Sequence, residues 1–228
     1  MSDIDTAEVD TVAIETGPNP IGSIVWLHGL GADGHDFEPI VPELALPDSL
    51  PLRFVFPHAP VRPVTINGGI AMRAWFDILS FDRAGRAEPS SLEQSRALLL
   101  ALVERERERG IRPDRIVLAG FSQGGAVVLH TVMQQPLELA GIMALSTFLP
   151  AFDTGVTGAP GDTSTPVFMA HGSYDPVLPL ALGRECAAAL EQLGYRVEWH
   201  EYPMAHAVCP QEIVAIRDWL LRVYSTPQ

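Results

Sequence analysis

Seven short apolar segments alternate with helical segments along the chain, and this alternation restricts the fold more than any other feature. Several segments are apolar at nearly every position, which is typical of strands buried on both faces of a parallel sheet. The first one alternates apolar and polar residues, which is typical of an edge strand. The segments are residues 9–15, 23–27, 52–56, 115–120, 141–145, 166–171 and 196–202. The pattern predicts an α/β fold with a mostly parallel central sheet and helices on both faces.

Four helices between and after these strands have recognisable ends. The Ser90–Glu93 segment is a capping-box pattern, and it predicts a helix that ends before Gly110. Further helices are predicted over about residues 124–135 and 179–193. The last helix begins at Pro210, because proline is well tolerated in a first helical turn.

Two connections do not fit the alternation. Residues 57–89 are rich in proline and glycine, and long irregular loops in compact domains often form the walls of functional sites. Residues 153–165 form a second irregular loop, which we interpret as a solvated surface excursion. No internal repeat or charge block marks a linker. We therefore expect one domain over residues 1–228, with residues 1–8 as a flexible tail.

Charge and cysteine content argue against several classes of function. Lys and Arg number 15 against 28 Asp and Glu, and the resulting net charge of −13 repels nucleic acid and anionic lipid. The N-terminus has no signal-peptide pattern, and no apolar run approaches the roughly 18 residues of a membrane-spanning helix. Cys186 and Cys209 lack metal-ligand spacing. We expect a cytoplasmic protein without a bound metal, nucleic-acid partner or stable membrane insertion.

The segment Gly120-Phe121-Ser122-Gln123-Gly124 carries the clearest chemical signal. It fits the G-x-S-x-G nucleophile elbow, and it stands in the required context, after an apolar strand and before a helix. The backbone at Ser122 should be strained, and side chains at the two glycines would clash as the strand turns into the helix. This pattern predicts that Ser122 is a nucleophile presented above the edge of the sheet.

A serine nucleophile needs a base and an acid that orients the base. In chains with such an elbow, the acid follows the serine and the histidine comes last. Asp175 lies in a turn directly after a predicted strand, between Gly172 and Pro176. His206 lies in the loop between the last predicted strand and the last helix, whereas His200 falls inside that strand. We predict Asp175 as the acid and His206 as the base.

The glycine-rich segment after the second strand has two interpretations. Residues 29–34 spell G-x-G-x-x-G, the fingerprint of a dinucleotide-binding turn. That site requires an acidic residue at the end of the next strand, where this sequence has Pro57. The same glycines suit an oxyanion hole, in which the backbone N–H groups of Leu30 and Gln123 would stabilise a developing negative charge. We favour the oxyanion hole.

Six segments together resemble the phospholipase/carboxylesterase family of α/β-hydrolases, the group of type II carboxylesterases and acyl-protein thioesterases. They are WLHGLGADG, FPHAPVRPVTINGG, MRAWFD, LAGFSQGGA, HGSYDPVLP and MAHAVCPQEI. The resemblance covers most of the chain from Trp26 onward, and it is far more specific than G-x-S-x-G alone. It implies an α/β-hydrolase fold without a separate lid domain, a hydrolase that needs no cofactor, and a homodimer as one plausible assembly.

The resemblance also implies an acyl groove near the WFD and STFLP segments, where Trp75, Phe148 and Leu149 would contact the substrate. We expect a carboxylesterase that cleaves short- to medium-chain acyl esters of small molecules through a Ser-His-Asp triad and an acyl-enzyme. Acyl-protein thioesterase or lysophospholipase activity is the alternative within the family. An NAD-dependent oxidoreductase and a non-catalytic binding protein of the same fold are the alternatives from other classes.

Overall fold

The computed structural model describes residues 9–80, 87–150 and 162–225. Its strands are β1 (Thr11–Glu15), β2 (Gly22–Leu27), β3 (Leu52–Pro57), β4 (Val61–Val64), β5 (Ile70–Arg73), β6 (Ile116–Phe121), β7 (Gly141–Leu145), β8 (Val167–Gly172) and β9 (Val197–Tyr202). Its helices are α1 (Ile40–Glu43), α2 (Pro89–Glu108), α3 (Gln123–Gln134), α4 (Leu180–Gln192) and α5 (Pro210–Ser225). The predicted tail and most of the predicted loop over residues 153–165 lie outside the described residues.

Seven strands form one sheet in the order β1-β3-β2-β6-β7-β8-β9. β1 runs antiparallel to β3, and every other neighbouring pair in this sheet is parallel. All seven predicted strands are present, and β1 lies at the edge with its side chains only partly buried. β2, β6, β7 and β8 are buried along their whole length, as expected for central parallel strands. The predicted α/β class is confirmed.

Apolar side chains cover both faces of the sheet. On one face, α2, α3 and α4 contribute residues such as Leu98, Val127 and Leu190 to a continuous buried cluster. On the other face, the apolar stripe of α5 packs Ile216 and Leu220 against the strands. Burying one such side chain contributes about 1.5–3 kcal/mol to folding. Because a buried cluster packs against each face, the sheet holds the strand ends that carry the candidate site in fixed positions.

The start of α2 differs from the prediction. The capping group is the Glu88 carboxylate, which accepts hydrogen bonds from the backbone N–H groups of Ser90 at 2.9 Å and Ser91 at 2.7 Å. The expected capping box at Ser90–Glu93 is therefore wrong. Pro89 explains the difference, because its fixed φ angle suits the first helical position and moves the helix start upstream.

The long connection over residues 57–89 contains a small antiparallel hairpin of β4 and β5. Its turn includes Gly68 and Gly69, both with positive φ angles, of 68° and 79°. The base of the hairpin is tied to the glycine-rich segment after β2, since the Gly31 N–H donates to the Arg73 carbonyl at 2.9 Å. The loop that the sequence left irregular is thus partly an ordered wall beside that segment.

Candidate active site

Ser122 stands between β6 and α3 with a backbone conformation that few residues other than glycine adopt, φ 54° and ψ −118°. A Cβ atom on Gly120 would lie 2.4 Å from the Gly124 carbonyl carbon, and one on Gly124 would lie 2.4 Å from the Leu27 carbonyl oxygen. Both positions therefore require glycine. The sharp strand-to-helix turn has the expected form of a nucleophile elbow.

Hydrogen bonds with the end of β7 and the residues just after it stabilise this strained turn. The Ser122 N–H donates to the Leu145 carbonyl at 2.9 Å, and the Thr147 hydroxyl donates to the Ser122 carbonyl at 2.6 Å. Thr147 is buried and was not singled out from the sequence. Its proximity depends on the pairing of β6 with β7, which no local pattern reveals.

His206 lies in the loop between β9 and α5, and its ring reaches back to the elbow. Its Nε2 atom is 2.9 Å from the Ser122 Oγ atom. The imidazole packs against the Phe121 ring with a centroid distance of 4.7 Å. Gly172 permits this approach, because a Cβ there would lie 2.4 Å from the carbonyl oxygens of Met204 and Ala205.

Asp175 lies in the turn after β8, with its side chain fully buried. Its Oδ2 atom is 2.7 Å from His206 Nδ1, and its Oδ1 atom accepts the backbone N–H groups of Val177 at 2.8 Å and Leu178 at 2.9 Å. Nδ1 thus donates to the carboxylate, and Nε2 is left free to accept the serine proton. His171 supports the same turn by donating from Nε2 to the Leu178 carbonyl at 2.8 Å.

The glycine-rich segment after β2 adjoins the elbow. A Cβ on Gly29 would lie 3.5 Å from the Ser122 Cβ atom, and Leu30 and Gln123 line the same cavity as Ser122. No described residue accepts a hydrogen bond from the Leu30 N–H. Gln123 is the first residue of α3, so its N–H has no partner within the helix. The arrangement leaves two donors available beside Ser122.

The dinucleotide interpretation of the same glycines requires a helix that begins inside the motif. Residues 29–34 are followed by turns instead, and the next helix is the four-residue α1, which begins at Ile40. Gly34 has a packing role, because a Cβ there would lie 2.5 Å from the Phe56 carbonyl oxygen. The geometry of the loop therefore disfavours a pyrophosphate site.

A cavity of about 750 Å³ opens beside Ser122 and His206. Its walls are mainly apolar, and they come from the glycine-rich loop, the hairpin loop, the segment after β7 and the first turns of α4. Asp36 and Glu185 add acidic side chains to the lining. Apolar residues on the wall include Leu30, Ile66, Phe148, Val177, Leu178 and Leu182. A concave apolar cavity with a few polar groups is typical of a small-molecule site.

The three predicted groove residues occupy different places. Phe148 lines the cavity. Leu149 is half-buried and packs against the apolar cluster, and it is not among the described residues that line the cavity. Trp75 is 1% exposed and lies behind the glycine-rich loop, where its indole N–H donates to the His28 carbonyl at 2.8 Å. This geometry therefore does not support the contact that we expected between Trp75 and substrate.

Comparisons with known proteins identify the family of the chain. A model of the family described as Phospholipase/Carboxylesterase matches residues 10–223. Acyl-protein thioesterase 1 of Neurospora crassa is 37% identical over 208 residues, which cover 87% of this chain and 85% of that protein. The crystal structure of Arabidopsis thaliana SOBER1 is 30% identical with a TM-score of 0.82, covering 90% of this chain and 99% of that one. The chain belongs to the phospholipase/carboxylesterase family.

A more distant structure supports the fold alone. Zea mays acyl-protein thioesterase 2 is 23% identical with a TM-score of 0.78, and the match covers 95% of this chain and 99% of that one. Family membership makes the protein a serine hydrolase of the ester and thioester class, with the α/β-hydrolase fold. None of the helices in the described residues has both the length and the hydropathy needed to cross a bilayer.

His28 is the most informative of the residues near the site to which the sequence analysis gave no role. It directly follows β2, and its buried imidazole bonds to the Gly29 carbonyl within the glycine-rich loop and to the Ala59 N–H after β3. A histidine placed between a fully buried strand and a glycine could have been singled out for this reason. Within the described residues, no group of three His, Cys, Asp or Glu side chains is arranged to hold a metal ion.

Proposed function

We propose that this family member hydrolyses carboxylic esters of short- to medium-chain acyl groups, with Ser122 as nucleophile, His206 as general base and Asp175 as the acid that orients it. The observation that supports this most directly is the pair of distances at the imidazole. They are 2.9 Å from Nε2 to the Ser122 Oγ atom and 2.7 Å from Nδ1 to the Asp175 Oδ2 atom. Both lie within the range required for proton transfer and for orientation of the base.

In the first half-reaction, His206 Nε2 takes the hydroxyl proton while Ser122 Oγ attacks the ester carbonyl carbon. The carbonyl oxygen becomes an oxyanion, which the backbone N–H groups of Leu30 and Gln123 stabilise. Asp175 stabilises the imidazolium without accepting its proton. The imidazolium then protonates the leaving alcohol, and the acyl group remains on Ser122.

In the second half-reaction, His206 removes a proton from water, and the resulting attack on the acyl-enzyme passes through a second oxyanion in the same hole. Return of the proton to Ser122 Oγ releases the carboxylic acid. Because the imidazole must accept a proton in both halves, activity should fall when the solution is acidified enough to protonate it. None of these steps calls for a cofactor.

The central test is covalent labelling with a fluorophosphonate probe, which reacts with activated serines. We expect the wild-type protein to be labelled at Ser122 and the Ser122→Ala variant to be unlabelled. Ser23→Ala is a matched control, because Ser23 is also buried and, in the described structure, its hydroxyl has no hydrogen-bond partner. An unlabelled wild-type protein, or equal labelling of Ser122→Ala, would show that the proposed mechanism is wrong.

Thioester hydrolysis is the second candidate function. Relatives named acyl-protein thioesterase 1 favour it, and the apolar lining of the cavity is compatible with a longer acyl chain. Nitrophenyl esters of increasing acyl length, assayed beside a palmitoyl thioester and a lysophospholipid, separate the candidates. A kcat/KM that peaks at short to medium esters supports the carboxylesterase assignment. A preference for the palmitoyl thioester supports the thioesterase.

The oligomeric state and the cellular location of the protein stay predictions. A homodimer, suggested by the family resemblance, can be tested by sedimentation of the purified protein at several concentrations. Cytoplasmic location can be tested by fractionation of the source cells. The classes that we set aside, an oxidoreductase and a non-catalytic binding protein, each predict an unlabelled Ser122.

A further inference from the structure

Trp75 contacts the supports of both proposed oxyanion donors. Its indole N–H donates to the His28 carbonyl at 2.8 Å, at the start of the loop that carries Leu30. Its backbone N–H donates to the Gln123 side-chain oxygen, also at 2.8 Å. The side chain is fully buried and is not one of the described residues that line the cavity. Trp75 therefore lies where it can influence the two donors without touching the substrate.

The His28 imidazole links Trp75 to the Leu30 amide. The Ala59 N–H donates to His28 Nε2 at 3.0 Å, so the ring proton must reside on Nδ1. Nδ1 then donates to the Gly29 carbonyl at 2.7 Å. In a trans peptide, the N–H points away from the carbonyl of the same unit. Fixing the Gly29 carbonyl toward His28 therefore directs the Leu30 N–H in the opposite direction.

The position of this imidazole depends on its packing. The Trp75 ring lies against the His28 ring with a centroid distance of 5.1 Å. Burial lowers the pKa of His28 to about 4. The hydrogen bond to the Gly29 carbonyl and the charge of Asp33 oppose this shift, and His58 and Arg73 add smaller contributions in the same direction as burial. The ring therefore stays neutral near pH 7 and keeps the tautomer that holds the loop.

The second donor is held from the same segment. The Gln123 side chain accepts the Trp75 N–H through its oxygen and donates from its nitrogen to the Phe76 carbonyl at 2.7 Å. These two bonds fix the first residue of α3, whose backbone N–H is the second proposed donor. The Ser95 hydroxyl bonds to the Trp75 carbonyl and anchors the segment to α2.

We propose that Trp75 is a positioning residue that aligns both oxyanion donors, acting through His28 on Leu30 and through its backbone on Gln123. This inference rests on the hydrolase mechanism proposed above. Loss of one oxyanion donor typically lowers kcat by about 10²–10³-fold. A misaligned donor retains part of its effect, so we expect loss of the indole N–H to lower kcat by roughly 10- to 100-fold.

The experiment replaces the indole N–H in two ways. Trp75→Phe removes the N–H together with part of the ring. Incorporation of benzothienylalanine at position 75 replaces only the N–H by sulfur and keeps the shape of the side chain. It therefore tests the inference even where the phenylalanine variant folds poorly. We expect kcat to fall in both proteins. The affinity for a boronic acid, which forms a tetrahedral adduct with the serine, should fall by the same factor as kcat/KM. The Kd of a non-reactive ether analogue of the substrate should stay within about twofold of wild type, because the ether places no charge in the hole.

Trp26→Phe is the matched control. Trp26 is as deeply buried as Trp75 and lies in the adjacent strand β2, but its indole N–H has no hydrogen-bond partner in the described structure. This variant should keep wild-type kcat and boronic acid affinity. The inference is overturned if kcat is unchanged in both Trp75 proteins, if kcat falls without loss of boronic acid affinity, or if Trp26→Phe has the same effects. An inactive wild-type protein would instead contradict the proposed function.

Discussion

Two buried carboxyl groups flank the His206 loop, and their surroundings are opposite. On one side, Asp175 accepts hydrogen bonds from the backbone N–H groups of Val177 and Leu178 and from the imidazole. On the other side, Glu212 lies in the first turn of α5, just after the loop, and it is also fully buried. Within the described part of the chain, neither of its carboxyl oxygens has a hydrogen-bond partner.

The difference shows that burial does not by itself decide what a carboxyl group does. Burial raises the pKa of Glu212 to about 8, because desolvation disfavours the charged carboxylate. The backbone N–H of Cys209 faces the carboxyl without a well-formed hydrogen bond and offsets only part of this effect. At neutral pH, Glu212 is therefore mostly uncharged. The Asp175 carboxyl is surrounded by donors, and it can serve as the acceptor that orients His206.

The largest loss of activity is expected at Asp175. We expect Asp175→Asn to lower kcat by about 10⁴-fold, because an amide can donate to Nδ1 and favour the wrong tautomer of His206. Steady-state kinetics with a nitrophenyl ester measure the effect, and thermal unfolding checks that the fold is kept. A variant that retains more than a tenth of the wild-type kcat would remove Asp175 from the mechanism.

A smaller loss is expected where the Asp175 turn and the His206 loop touch. Gly172→Ala places a Cβ atom 2.4 Å from the carbonyl oxygens of Met204 and Ala205, so the loop must move. We expect about 1–3 kcal/mol lower stability from the overpacking and about tenfold lower kcat. Ser173→Ala, a change at the exposed next residue, is the control for urea unfolding and kinetics. Wild-type kcat in Gly172→Ala would mean that His206 does not depend on this contact.

The smallest effect on activity is expected at Glu212, where stability should respond to pH. The unfolded chain releases this proton near the usual pKa of about 4.5, whereas the folded protein keeps it up to a pH of about 8. Between these values the folded state binds more protons, so each pH unit removes about 1.4 kcal/mol of stability through this group. Glu212→Gln avoids that loss.

Urea unfolding of Glu212→Gln and wild type at about pH 5.5 and pH 9 tests this expectation. The stability advantage of the variant should grow by a few kcal/mol over that range, and its kcat near pH 7 should stay within about threefold of wild type. A constant difference between the two proteins would show that Glu212 does not titrate in this window.

Much of the fold was predictable because buried parallel strands leave a strong local pattern. Apolar runs such as residues 115–120 and 141–145 mark central strands wherever they occur in the chain. The hairpin was missed because Pro63 in β4 and the glycines in its turn are atypical of strands, and its pairing uses few residues. The start of α2 was misjudged because Ser90–Glu93 fits a capping box, whereas glutamate is not a preferred N-cap residue and no local pattern points to Glu88.

The candidate site likewise contains residues that the sequence predicts and residues that it does not. Ser122, Asp175 and His206 could be predicted because each follows a strand in a fixed chain order, and the sequence records that order. The supports were not found, because they depend on contacts between distant segments. Trp75 illustrates this limit: the family resemblance implied a wall of the substrate groove, whereas its hydrogen bonds place it behind the glycine-rich loop.

The β4–β5 hairpin has a consequence for engineering. A Cβ atom on either Gly68 or Gly69 would meet no other atom within 4 Å, so the tip is open, while the Gly31–Arg73 hydrogen bond fixes the base. Exposed tips of this kind tolerate inserted sequence better than packed segments do. The tip therefore offers a grafting point for a recognition peptide near the cavity, through which a tethered substrate could be delivered to the hydrolase. Retained ester hydrolysis after insertion is the measurement that decides whether the tip is independent of the chemistry.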